Sequence, residues 1–169
     1  MTFPRVLLVD DNDEISAVFH RSVTTENAAA IPERDLETTI DSWMRQVERN
    51  EELYGVELDY ADRTAHLPNL FHELISRLRS PPEASARSSA TAHEHGILRC
   101  QQGYTAAKVV EESRILQLSI FKTLEDHLRS VNFSKVLLDV RTIADEVDSQ
   151  VQQQILGYRS RKLRKSAVA

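Results

Sequence analysis

An all-α fold follows from three features of this 169-residue chain. Glycine and proline are scarce, at four and five. Apolar residues recur at three- and four-residue steps through most of the length, and residues 33–49 and 60–79 show no strand-type alternation between them. The pattern predicts a five- to six-helix bundle that ends in two long helices. A chain of this length buries a core without disulfide or metal staples. Hydrophobic residues at 41% and charged residues at 28% match an ordinary folded domain. The net charge of -5 and sequence pI near 5.7 argue against general affinity for nucleic acid.

Residues 1–32 read as an N-terminal extension with a short helix. The apolar run RVLLV at 5–9 precedes Asp10, Asp11, Asn12, Asp13 and Glu14. Asp11 or Asn12 suits a helix cap, followed by Ile15, Val18, Phe19 and Val23 at helical spacing. Pro32 suits the first position of a helix carrying Leu36, Ile40, Trp43 and Val47, which frays near Asn50. A connection at 54–58 leads to a helix over 59–79 that points Leu67, Leu70, Phe71, Leu74, Ile75 and Leu78 inward. Pro68 starts its main part or kinks it, because proline lacks a backbone donor and crowds the preceding turn. Ser80-Pro81-Pro82 is a firm break.

The next helix, over 83–101, carries the small residues Ala84, Ala86, Ala90 and Ala92, which permit close approach of a neighbour. Gln102-Gly103 ends it, since glycine takes the left-handed conformation that a helix terminus favours. Val109, Leu116, Ile120, Leu124, Leu128 and Val131 then form one stripe, interrupted by Ser113. Phe133, Leu137, Val140, Ala144, Val147, Val151 and Tyr158 form another. Each of these two helices spans roughly 25 residues, or about 37 Å. A seam of that length suits pairing with a second copy across a two-fold axis, so Phe133, Leu137, Val140, Val147 and Val151 are the candidate dimer and relay seam. The helical domain is expected over 33–160, with a basic tail at 161–169. Arg159, Arg161, Lys162, Arg164 and Lys165 cluster there, as a solvated helix end or linker.

Cys100 is the single cysteine, which forbids an internal disulfide and fits a reducing cytoplasm. No apolar run approaches the ~18 residues needed to cross a bilayer, and the start lacks a secretion-type core. A membrane partner is not expected.

The most informative stretch is 93–116, HEHGILRCQQGYTAAKVVEESRIL. It holds a His-Gly pair, an arginine one turn later, a Gln-Gly break and a helix with two glutamates. His95-Gly96, Arg99, Gln102-Gly103-Tyr104, Glu112 and Leu116, with Trp43 and Leu67-Pro68-Asn69-Leu70 upstream, resemble the N-terminal sensory domain of bacterial RsbT co-antagonist proteins of the RsbR/RsbD type. That domain also precedes some histidine kinases. The resemblance covers roughly residues 35–158. Ser113 and Gln117 stand where the family pattern carries an aromatic residue and an arginine. No STAS or kinase effector is read after the last helix, so the resemblance implies an output that is missing or supplied by a partner. It further implies a globin-related helical fold without haem, dimerisation, and a signal passed down the C-terminal helix.

Within the motif, His95 and Arg99 lie one turn apart on one helix face, and Glu111 or Glu112 follows across a tight turn. An Arg99–glutamate pair beside His95 would lock the two helices together. A protonation or ligand switch is the functional alternative, since histidine titrates near neutrality. His95, Arg99, Gln102, Glu111 and Glu112 are therefore the candidate signalling joint. Metal is not expected: His93 and His95, two apart, point to different helix faces, and His66 and His72 have no carboxylate pattern between them. Haem is not expected either, His72 and His127 reading as boundary residues.

The opening VLLVDDN, with Asp59 in VELDY downstream, is similar to the start of a response-regulator receiver. The Met-Pro-Gly turn and later strands of such a domain are missing, so an acidic helix cap is the better reading. Cys100 reads as a small apolar group. No paired carboxylates, phosphate loop or Ser-His-Asp order points to catalysis, and no cofactor is expected. The sequence thus describes a non-catalytic bacterial signalling domain. The alternative is a structural helical adaptor that docks a partner without sensing. A degenerate receiver stands behind both.

Overall fold

The computed structural model describes residues 29–81, 88–129 and 133–168. The apolar run, acidic cluster and first helix expected at 5–23 lie outside the described residues, as does most of 83–89. Among the described residues the chain is helical, with no strand. The helices are α1 (Ala30–Arg34), α2 (Leu36–Arg49), α3 (Glu51–Tyr54), α4 (Tyr60–Thr64), α5 (Leu67–Leu78), α6 (Ala90–Gln101), α7 (Ala106–Asp126) and α8 (Phe133–Val168). Five of them, α2 and α5 to α8, are 12 residues or longer and form the bundle; the other three are single turns that steer the chain.

Local chemistry sets most of the boundaries, and it corrects several sequence-based expectations. Pro32 occupies the third position of α1, not the first, and the segment breaks at Asp35 before α2 begins. Asn50 ends α2 and at once caps α3, its side chain accepting from the Leu53 amide. The helix expected over 59–79 is two helices. Asp59 caps α4 through the Asp62 amide at 2.7 Å, the chain turns at Ala65-His66, and Pro68 sits in the first turn of α5. Ser89 caps α6, which therefore begins at Ala90 rather than at 83. Gly103 turns the chain after α6 with φ +86°, the left-handed geometry expected of it. Thr105 then caps α7.

The last two helices are unequal, at 21 and 36 residues. At about 54 Å, α8 runs on through Arg161 to Lys165, so the basic tail is helical.

The core forms where Ile31, Trp43, Val47, Leu53, Leu67, Phe71 and Leu74 meet Tyr104, Val109, Leu116, Ile120, Leu124, Ile143 and Val147. α2 and α7 run antiparallel, joined by polar contacts as well as apolar ones. Thr39 and Thr123 share a hydroxyl–hydroxyl bond of 2.8 Å, Gln46 donates to the Ser119 hydroxyl at 2.8 Å, and Trp43 Nε1 donates to the Glu112 carbonyl at 3.2 Å. The α7 stripe thus holds Glu112, Ser113, Ser119 and Thr123 in buried positions beside its aliphatic residues.

α6 lies against the C-terminal half of α8, also antiparallel. The small residues on both sides are what allow it. A Cβ at Gly96 would fall 1.9 Å from the Gln154 carbonyl oxygen, and one at Gly157 would fall 2.0 Å from that of His93. Each glycine receives the other helix's backbone, so the helices approach closer than ordinary side chains permit. Two of the alanines expected to allow close packing, Ala84 and Ala86, lie outside the described residues; Ala92 is fully buried and Ala90 is exposed.

Gly96→Ala is expected to force α6 and α8 apart and to cost at least the ~1–3 kcal/mol typical of overpacking, because the obstacle is backbone. Gly157→Ala should do the same. Urea denaturation of each variant measures it, and a midpoint equal to that of the unaltered chain would show that the two helices are not so closely apposed.

Candidate functional site

Two turns and two helices converge on Arg99. The residue has no solvent exposure, so each of its five N–H groups needs an acceptor inside the protein. Nε donates to Glu112 Oε2 at 2.9 Å and Nη2 to Glu112 Oε1 at 2.7 Å, a two-pronged grip on one carboxylate. Nη2 also donates to the Arg63 carbonyl at 2.9 Å. Nη1 donates to the Asp62 carbonyl at 3.2 Å and to Gln102 Oε1 at 2.7 Å. One guanidinium therefore ties α4, α6, the turn after α6, and α7.

A second buried arginine supports the first. Arg63, 1% exposed, donates to the carbonyls of Leu53 and Tyr54 at 3.3 Å each, and to that of Val56. These carbonyls lie at and just after the C-terminal end of α3. Arg63 also reaches the Tyr104 hydroxyl at 3.4 Å, and that hydroxyl donates to Glu112 Oε1 at 3.4 Å. The Tyr104 ring lies 4.9 Å from the Arg99 guanidinium carbon. Burial, with the Glu112 charge beside it, pushes the Tyr104 phenol up to about 12, so it stays a donor.

Beside the pair sit two histidines. His95 Nε2 is 3.4 Å from Glu112 Oε2, and the His95 ring stacks on His66 with centroids 3.6 Å apart and planes 16° from parallel. Trp43 meets His66 edge-on, with centroids 6.3 Å apart. The Nδ1 atoms of both histidines are buried without a hydrogen-bond partner. Burial lowers the His66 pKa well below its ordinary value, and the neighbouring His95 and Arg99 add to this. Burial also lowers that of His95, offset in part by its bond to Glu112. For Glu112, burial works to raise the pKa, but the bonds and charges of His95 and Arg99 outweigh it and hold the carboxyl ionised. The site at neutral pH is thus two neutral rings against an arginine–carboxylate pair.

His66, His95 and Glu112 offer ligand atoms within 4.8 Å of one another, which raises the question of a metal. The arrangement is poorly matched to one. Arg99 already grips both carboxylate oxygens, and nitrogen lone pairs lie in the ring planes, which here are nearly parallel and do not converge on one point. A divalent ion would also add charge beside two buried guanidinium groups.

Of the expected joint residues, His95, Arg99, Gln102 and Glu112 come together. Glu111 does not: it faces outward, bonded to Arg114 at 2.7 and 2.8 Å and to Asn50 at 3.1 Å. His66, Trp43, Arg63 and Tyr104 complete the site and were not placed in it by sequence spacing. The invariably polar character of Arg63, on a helix of 5 residues, gave no periodic signal that it would be buried. Of the other histidines, His93 is partly exposed and His72 exposed. His127 bonds the Thr123 carbonyl through Nδ1 and pairs with Asp35 through Nε2 at 3.3 Å. Asp59 is spent as a helix cap.

The expected seam divides. Val147 is 4% exposed within this chain's own core and Val151 packs against that core. Leu137 is 77% exposed and Val140 is half-buried. Phe133 opens α8, and its side chain lies outside the described residues. The inward face of α8 also buries Glu146, Gln150 and Gln154. Gln150 donates to the Leu70 carbonyl at 3.2 Å, and Gln154 accepts from Ser113 at 2.9 Å.

The family described as the RsbT co-antagonist protein RsbRD N-terminal domain matches residues 37–167, and the chain belongs to that family, a regulatory domain of stress signalling. No match was found among curated proteins or among solved structures. No described helix is long and apolar enough to cross a membrane.

Arg99→Met is expected to cost about 3–5 kcal/mol, because it strands the Glu112 charge in the interior. Glu112→Leu should cost a similar amount by stranding Arg99. The double change Arg99→Met with Glu112→Leu should cost clearly less than the sum of the two, since no buried charge is left alone. Chemical denaturation of the four proteins closes the cycle, and additive losses would contradict the pairing.

Proposed function

We propose that the chain is a non-catalytic sensory and regulatory domain of a bacterial cytoplasmic signalling pathway. It works as a homodimer and passes a small change in helix packing through α8 to a protein partner. Family membership supports the regulatory role. The observation that carries the relay is the contact between Gly96 and Gln154. His95, the ring at the joint, is the residue next to Gly96, and Gly96 rests on the backbone of α8 with no side chain between them. A shift of the ring therefore becomes a shift of α8. Gln154 is held from the other side by Ser113, whose neighbour is Glu112, so α8 touches both halves of the joint.

The proposed dimerisation is supported by the length of α8 and by apolar groups exposed among the described residues. Leu137, Leu156 and Leu163 are 77%, 51% and 69% exposed. α8 extends beyond the length of α6 that packs on it, and exposed leucines along so long a helix gain stability by pairing. Val147 and Val151 serve the fold in this arrangement, while Leu137 and Val140 serve the interface. The structural adaptor, which docks a partner and senses nothing, is the second reading; the stacked, neutral histidines beside an ion pair favour the first, because a scaffold gains nothing from them.

Sedimentation of the purified chain is expected to give a dimer. Leu137→Glu should shift it to the monomer with little loss of melting temperature, whereas Val147→Glu should unfold it. A monomer at all concentrations in the unaltered chain would remove the dimer from this reading.

A further inference from the structure

We infer that the input to this domain is a proton, taken up by the stacked His66–His95 pair. The inference rests on reading the chain as a sensory domain and names its signal. The geometry carries it. His95 Nε2 faces Glu112 Oε2, leaving Nδ1 of each ring buried and unpartnered. Buried polar atoms without partners are rare in folded proteins, and each of the two stacked rings holds an open nitrogen that can take a proton. His66 keeps intermediate exposure while His95 is buried, so His66 is the entry and His95 the inner partner.

The groups around the pair decide what the proton does. Arg99 from α6 and Glu112 from α7 are the charged groups that act on His95, and Arg99 acts on His66. Arg63 from α4 stands one hydrogen bond behind Glu112, through Tyr104. α2 presents the uncharged Trp43 ring, and α8 presents uncharged Gln154, bonded to Ser113. An imidazolium here therefore meets a guanidinium and competes with it for the single carboxylate of Glu112. Like charges also oppose a 3.6 Å stack. Relief comes from parting the rings, which moves the turn at Ala65-His66 against α6, and α6 against α8 across Gly96.

The direction with pH follows from linkage. Both rings are harder to protonate folded than unfolded, so the unfolded chain binds more protons between the two values. The closed arrangement is at full strength above about pH 6.5, the ordinary histidine value, and weakens as pH falls below it.

Trp43 is the chain's single tryptophan and touches His66, which makes it a reporter. Its emission should be followed on the full chain from about pH 8 to about pH 5, with far-UV circular dichroism beside it and the imidazole C2 protons by NMR. The expected result is an emission change with a midpoint below about 6.5 while the helical signal holds, and two imidazoles titrating with it. His66→Phe, which keeps an aromatic ring on the stack, should abolish the change.

An unchanged emission transition in His66→Phe would overturn the inference. Should that variant not fold, NMR of the unaltered chain decides: rings that stay neutral until the helices melt, or that titrate like exposed histidines, overturn it equally. Sedimentation at about pH 8 keeps the two readings apart. A dimer without the titration removes only the proton; a titrating monomer removes only the dimer relay.

Discussion

A guanidinium with no exposure to solvent must find an acceptor for every N–H, and much of this structure is arranged so that Arg99 does. The Glu112 carboxylate supplies two acceptors, Gln102 one, and the carbonyls of Asp62 and Arg63 the rest. Those partners come from α4, the turn after α6, and α7, so the cost of burying the charge is recovered only when all of them are in place. The short helix α4 gains its purpose from this. It is 5 residues long and would not persist alone, yet its two carbonyls complete the arginine's shell. Arg63 on the same turn reaches back to α3.

The second constraint is distance. α6 and α8 are held together by backbone approaching backbone at Gly96 and Gly157, and contacts so short transmit displacement with little slack. His95 and Gly96 are consecutive, so the polar centre and the close contact with Gln154 share one turn of helix. The chemistry of the joint and the mechanics of α8 are thereby linked within a single element.

Much of this was legible beforehand. The periodicity of Ile40, Trp43 and Val47, and of Val109, Leu116, Ile120 and Leu124, places these residues on inward faces, and all are buried. Asn50 and Gly103 mark real helix ends. The motif at 93–116 places Arg99 near Glu111 or Glu112 because two helices joined by a tight turn bring that stretch beside it, and Glu112 is the one that pairs. Other features left no such trace. His66 looks like one polar residue before a leucine-proline step, and its stacking partner is 29 positions away. Gln150 and Gln154 carry no apolar signal, yet they are buried, where the Leu70 carbonyl and the Ser113 hydroxyl partner them. Pro32 and the 59–79 segment fitted continuous helices by local propensity, and the turns that interrupt them arise where the chain packs back on the core.

The sequence by itself determined the class of fold, several of the helix ends and the pairing of Arg99 with a glutamate of the next helix. These depend on local propensity, on periodicity, and on contacts between elements adjacent in the chain. Tertiary structure alone decided that Glu112 rather than Glu111 takes the arginine, that His66 stacks on His95, and that α8 gives Val147 to its own core while leaving Leu137 exposed. Each of those outcomes depends on the rotation and separation of helices distant in sequence. A shift of one residue along a helix turns a side chain by about 100°, and only the packed bundle fixes that angle.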